Sequence, residues 1–270
     1  MTGHTVLYRG AALADGLSPV LRKPVTIAVD DGLIAGIFDG DGDGEALAGQ
    51  ATALVDGADL VKLYLDGPDA GTAPWSADEV RKVVSAVHAR GATVAAHGSG
   101  LPNCRRAAES AVDTLEHGFA LDEDIAGVMA ANGVTLVSTL SVMHSWLTFG
   151  STTSIERFAT DVGRSAIAER LEMAEHSVRI AFHAGVAIAA GSDFGGGSVR
   201  AGHLAWEVQA LVKAGLEPWQ ALGSATWQGG AVLGDADAGR LRVGGPAHFT
   251  LVHGDPLEDP AALWRVWRVV

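Results

Sequence analysis

The chain has 270 residues, 48% of them hydrophobic, and 19 basic against 32 acidic side chains give a formal net charge of −13. That length fits one large α/β domain, alone or with a small satellite, and the acidic balance argues against nucleic acid and anionic membranes as partners. The single Cys104 excludes an internal disulfide, and neither a signal-peptide core at the start nor a run of roughly 18 apolar residues is present, so the expected location is cytoplasmic.

Residues 5–38 read as β, in the runs Thr5–Tyr8, Val25–Val29 and Leu33–Phe38, with Asp30-Asp31-Gly32 as a hairpin turn between the last two. The acidic, glycine-rich DGDGDGE over 39–45 reads as a flexible junction. From Ala46 helices and strands alternate. A helix is expected over 46–56, then the apolar strand 59–65, then a helix over 76–90 opened by the capping box SADE and closed by Gly91. Strand 93–97, a helix over 101–110, strand 112–117, a helix over 122–132 and strand 134–138 follow. A long helix is expected over 155–184 and a strand over 186–190 leading into Gly-Ser-Asp. Helices over 202–214 and 218–233 come next, and short β runs over 239–270 close the chain. Alternating βα units around buried apolar strands mean a parallel sheet of five strands.

Each polar residue of interest falls at the C-terminal end of one of those strands, where α/β enzymes place their chemistry. His97 ends VAAH and His117 ends TLEH, each followed by glycine and 20 residues apart. Neutral imidazoles so placed can reach a metal; taken singly, each also reads as a satisfied rim histidine. Lys62 lies inside DLVKLYL, where a buried amine is costly unless paired or modified; the alternative is an edge strand with Lys62 facing water. Asp193, in AAGSDFGGG, reads as a metal ligand, a general base, or an Asx-turn for the next helix. Tyr64 and Asp66 are candidates to line the pocket, and His144, after the fourth strand, to contact substrate. Glu116 is expected to point away on the other strand face. His88, His176, His183 and His203, with Trp206, Trp219 and Trp227, read as surface or helix-packing residues.

The segments VKLYLDG, VAAHGSG, DTLEHG and IAAGSDFGG resemble the motifs of the imidazolonepropionase-like and prolidase-like branch of the amidohydrolase superfamily. IAVDDGLIAGI and the stretch from GLEPWQALGSATW to FTLVHGDPL resemble that family's terminal segments. The resemblance implies an incomplete TIM-type (β/α) barrel, with five strands matching strands four to eight, over 46–238. It also implies a small β-sandwich built from 1–38 and 239–270. Lys62 would be a carboxylated lysine, His97 and His117 metal ligands, and Asp193 a ligand that moves the proton. A metal-bound hydroxide would attack the carbonyl of an amide, cyclic amide or ester in a small molecule.

The family's His-x-His occurs nowhere in this sequence, and only 20 residues separate Phe38 from Asp59, too few for three βα units of roughly 30 residues each. His248 stands where the family usually has aspartate. The expectation is therefore one divalent metal, zinc by its ligands, rather than two, held by Lys62, His97, His117 and Asp193. The alternative is a catalytically impaired remnant acting as a binding module. A dinucleotide- or nucleotide-binding domain is disfavoured, because no G-x-G-x-x-G or P-loop follows a strand. An uncovered strand-four edge would invite a homo-oligomer.

Overall fold

In the computed structural model, residues 3–13, 22–30, 33–39, 58–67, 72–240, 245, 246 and 248–270 are described. The expected helix over 46–56, the junction beyond Asp39 and the Asp31-Gly32 turn lie outside the described residues. The chain divides into two bodies: Met1–Glu116 with Ala131–Val134, and His117–Ala130 with Thr135–Val270. The sandwich expected from 1–38 and 239–270 would join segments of different bodies, and it stands as an expectation.

The first body opens with β1 (Gly3–Leu13), β2 (Arg22–Asp30) and β3 (Leu33–Asp39). The β2–β3 hairpin forms as the sequence implies, with Asp30 opposite Leu33. Further strands are β4 (Ala58–Tyr64), β5 (Thr93–Gly98) and β6 (Thr114–His117), whose last residue opens the second body. Their order is β3-β2-β1-β4-β5-β6. β1 runs parallel to β4, with Val6 opposite Lys62. The strand edge that the sequence reading leaves to a second copy is thus taken by β1 of the same chain.

β4 and β5 pair in parallel with Lys62 opposite Ala95 and Tyr64 opposite His97. Val61, Leu63, Val94 and Ala96 are fully buried on one face of this pair. Helix α1 (Ala77–His88) packs against β5 and buries Val80, Val83, Val84 and Val87, spaced as one helical stripe. Each buried valine contributes on the order of 1.5–3 kcal/mol to this layer. Its start is the expected capping box: Ser76 Oγ accepts from the Glu79 N–H at 3.2 Å, and the Glu79 carboxylate accepts from the Ser76 N–H at 2.7 Å. Helix α2 (Leu101–Glu109) follows β5 and starts at Gly100.

In the second body β7 (Thr135–Ser138) and β8 (Ile188–Ala190) are parallel, with Ser138 opposite Ala190. Its helices are α3 (Glu123–Asn132), whose last two residues belong to the first body, α4 (Leu140–Trp146), α5 (Glu156–Ala159), α6 (Asp161–His183), α7 (Leu204–Ala214), α8 (Pro218–Ser224) and α9 (Trp227–Val232). Two expected helices are interrupted. The 155–184 stretch breaks at Thr160, whose backbone is extended and whose hydroxyl accepts from the Gly163 N–H at 3.0 Å, a cap inside the apolar pattern. The 218–233 stretch breaks at Ala225 and Thr226. Helix α4 is absent from the sequence reading. The chain ends in an antiparallel pair, β9 (Thr250–Val252) and β10 (Val266–Val269). No helix among the described residues is long and apolar enough to cross a membrane.

Candidate functional site

Strand alternation sets the side-chain directions in the first body. Because Val61, Leu63, Val94 and Ala96 face the helices, Lys62, Tyr64 and His97 must face the other way. Lys62 is paired there with Glu116 of β6, the two side chains 19% and 28% exposed. This corrects the expectation that Glu116 points away. Glu116 and Thr114 share a face, and the turn at His117, with φ +72°, leaves the alternation at the strand's last residue.

His97 is held from two sides. Its ring stacks on that of Tyr64, centroids 3.8 Å apart and planes within 13°. Its Nε2 lies 3.1 Å from the Asp66 carboxylate. Asp66 also accepts from the Ser99 N–H at 2.9 Å, the Ser99 hydroxyl at 2.5 Å and Asn103 Nδ2 at 2.8 Å. Burial alone would raise the Asp66 carboxyl. The hydrogen bonds from His97 and Ser99 and the His97 charge outweigh it and hold the carboxyl well below the usual range. Asp66 therefore orients His97. Ser99 and Asn103, which complete the arrangement, carry no signal in the sequence beyond lying just after the histidine.

The second body carries His117 and Asp193. Among the described residues three non-glycine residues have left-handed backbones, and two of them are His117 and Asp193, with φ +72° and +41°. Backbone of this kind collects at functional sites when the surroundings hold it in place. After His117, Ser177 of α6 fixes the chain: its hydroxyl accepts from the Leu121 N–H at 2.9 Å and donates to the Phe119 carbonyl at 3.1 Å. His117 Nδ1 is 2.8 Å from Thr139 Oγ1. The glycine-rich turn after Asp193 folds back so that the Gly196 N–H donates to the Asp193 carbonyl at 3.0 Å. A Cβ on Gly196 would meet Asp193 Oδ2 at 2.7 Å, so a larger residue there would displace the Asp193 carboxylate. The turn is tied to α4 by Trp146 Nε1 donating to the Gly196 carbonyl at 2.7 Å.

His144 sits in α4 with its Nε2 3.6 Å from Glu175 Oε1, and that carboxylate is 3.1 Å from Lys213 Nζ. Burial, and then the Lys213 charge, depress the His144 imidazole against the opposing pull of Glu175. Behind Thr139 lies the fully buried Glu207 of α7. Its carboxylate accepts from Ser138 Oγ at 2.6 Å, the Leu140 N–H at 3.0 Å and the Ser141 N–H at 2.7 Å. Burial pushes its carboxyl up in spite of those bonds. Neither Thr139 nor Glu207 stands out in the sequence reading, although a lone carboxylate inside LAWEVQALVKA was a signal available to it.

The expected ligands thus divide, Lys62 and His97 in the first body, His117 and Asp193 in the second. Among the described residues no three His, Cys, Asp or Glu side chains form a ready cation cluster. Each of the two imidazoles has one ring nitrogen held by a protein group, the arrangement of metal-ligating histidines. The Lys62 amine is paired with Glu116, and as an ammonium it has no lone pair to offer a cation.

A family model described as the amidohydrolase family matches residues 11–270. An uncharacterized protein of Mycobacterium tuberculosis (strain ATCC 25618 / H37Rv) is 30% identical over 176 residues, which is 65% of this chain and 46% of that protein. A solved Xaa-Pro dipeptidase with methionine bound in its active site is similar at 28% identity and TM-score 0.70, over 83% of this chain and 57% of its own. A solved amidohydrolase is similar at 26% identity and TM-score 0.72, over 85% and 57%. The chain spans about half the length of the curated relatives it matches.

Proposed function

Because the chain belongs to the amidohydrolase family, we propose that it is a metal-dependent hydrolase cleaving an amide, cyclic amide or ester bond of a small molecule. The observation that carries this reading is the matched support of the two strand-end histidines: Asp66 on His97 Nε2 and Thr139 on His117 Nδ1. Metal-ligating histidines are oriented in this way through the nitrogen that does not bind the ion. A cation would then take His97 through Nδ1 and His117 through Nε2, with Asp193 and a carboxylated Lys62 completing the set. Bound there, it would supply Lewis-acid polarisation of the scissile carbonyl and acidify water. Asp193 would take the proton from water at its carboxylate and return it to the leaving nitrogen or oxygen. Tyr64 would keep the His97 ring in plane and border the substrate, and His144 would contact the substrate's far end.

The Xaa-Pro dipeptidase likeness makes dipeptides the first substrates to try, with N-acyl amino acids and cyclic amides beside them. The full chain supplied with Zn²⁺ or Mn²⁺ should turn over at least one of these classes. Asp193→Asn should then lower the rate about 10²–10⁴-fold. A second reading, a binding module descended from the same family, draws on the 20 residues between Phe38 and Asp59, where three βα units would otherwise stand. It predicts small-molecule binding that Asp193→Asn leaves intact, and no turnover with either metal, a result that would overturn the hydrolase.

A further inference from the structure

We infer that Glu207 is a positioning residue for His117, acting through Thr139. Thr139 occupies the N-cap of α4, the place where a threonine hydroxyl ordinarily accepts from the first free N–H groups of the helix. Here it makes no such cap. Its Oγ1 is turned to His117 Nδ1 at 2.8 Å instead. The capping falls to Glu207, whose carboxylate reaches across from α7 and accepts from the Leu140 and Ser141 N–H groups at 3.0 and 2.7 Å. The same carboxylate takes the Ser138 hydroxyl at 2.6 Å. Residues on both sides of Thr139 are therefore pinned by one side chain, and the Thr139 hydroxyl is released to hold the histidine.

A fully buried carboxylate is an expensive way to cap a seven-residue helix, since an apolar residue at 207 with the threonine as cap would serve packing as well. What the carboxylate adds is the freedom of Thr139. With the Thr139 hydroxyl as the acceptor in the 2.8 Å contact, the His117 proton sits on Nδ1 and Nε2 is the acceptor nitrogen. The consequence for a metal rests on the hydrolase reading above; the tautomer does not.

The test uses the full chain, metal-free and labelled with ¹⁵N-histidine, with long-range ¹H–¹⁵N correlation reading the His117 tautomer. Wild type is expected in the Nδ1–H form. Thr139→Val should move it toward the mixture of tautomers found for free imidazole, Glu207→Gln should do the same, and the double variant should go no further than Thr139→Val. Zn²⁺ affinity, read by competition with a chromophoric chelator, should fall on the order of tenfold in both single variants. If Glu207→Gln does not fold, Ser138→Ala carries the test and should give a smaller shift in the same direction. A folded Glu207→Gln, or failing that Ser138→Ala, with wild-type tautomer overturns the inference, whatever its thermal stability. A tautomer that responds in a chain that binds no Zn²⁺ upholds this inference and rejects the metal site. An unchanged tautomer in a chain that binds Zn²⁺ does the reverse.

Discussion

His97 and His117 stand at comparable strand ends, yet the two bodies orient them by different means. In the first, Asp66 touches the imidazole directly and is itself gripped by Ser99 and Asn103, with its side chain 17% exposed. In the second, a neutral hydroxyl touches the ring, and the carboxylate stands one step back, fully buried. The two acids consequently move in opposite directions: Asp66 falls below its ordinary range and Glu207 rises above it. The hydrogen bonds from His97 and Ser99, with the His97 charge, win over burial at the first site, and burial wins over three neutral donors at the second. Direct support by charge belongs where water still reaches; where it does not, the charge is kept away from the ligand and works through a hydroxyl.

That contrast can be broken or sharpened by removing its parts in turn. Glu207→Ala should have the largest effect, because it leaves two buried N–H groups and a hydroxyl without their acceptor and opens a cavity. Urea denaturation should register a loss of about 3–5 kcal/mol, and a loss under about 1 would mean that the carboxylate holds nothing in place. Asp66→Ala should cost less, about 2–3 kcal/mol, since Asp66 and His97 are each 17% exposed and water can enter the vacated place, although the stranded Ser99 and Asn103 donors are buried. If the two losses came out reversed, the contrast between a buried and a wet support would fail. Tyr64→Leu should cost only about 0.5 kcal/mol, the stacking on His97 being partly exposed, with Tyr64→Phe close to wild type by the same measurement.

The smallest effect is one of pH. Folded Glu207 keeps its proton above the ordinary 4.5 at which the unfolded chain releases it. Its contribution to stability is thus fully present below pH 4.5 and is lost as pH rises through the raised value. Glu207→Gln should flatten that decline in melting temperature above pH 4.5, and an unaltered slope would assign the decline to other groups.

Much of the frame was legible in the sequence, because apolar periodicity and glycine stops are local. The strands carrying Lys62, His97, His117 and the Asp193 turn appear where the pattern put them, and SADE caps its helix as read. Helix α4 was not legible, because LSVMHSW is seven residues long and its cap comes from a glutamate 67 residues away. The direction of Glu116 was misread because alternation was carried through His117, where the backbone turns left-handed. The sequence offers Asp66 only as a pocket-lining candidate and does not single out Glu207, for the same reason as the cap: they act across 31 and 66–69 residues of sequence, and only folding brings such donors and acceptors into one place.

In the function proposed above, His97 and His117 are both ligands of a divalent cation. Zinc analysis of the full chain after equilibration with Zn²⁺ and removal of the excess tests it most directly, with His97→Ala and His117→Ala run beside wild type. About one equivalent retained by wild type and lost by each folded variant is the expected result. Wild type that retains no zinc, or variants that retain as much as wild type, would contradict it.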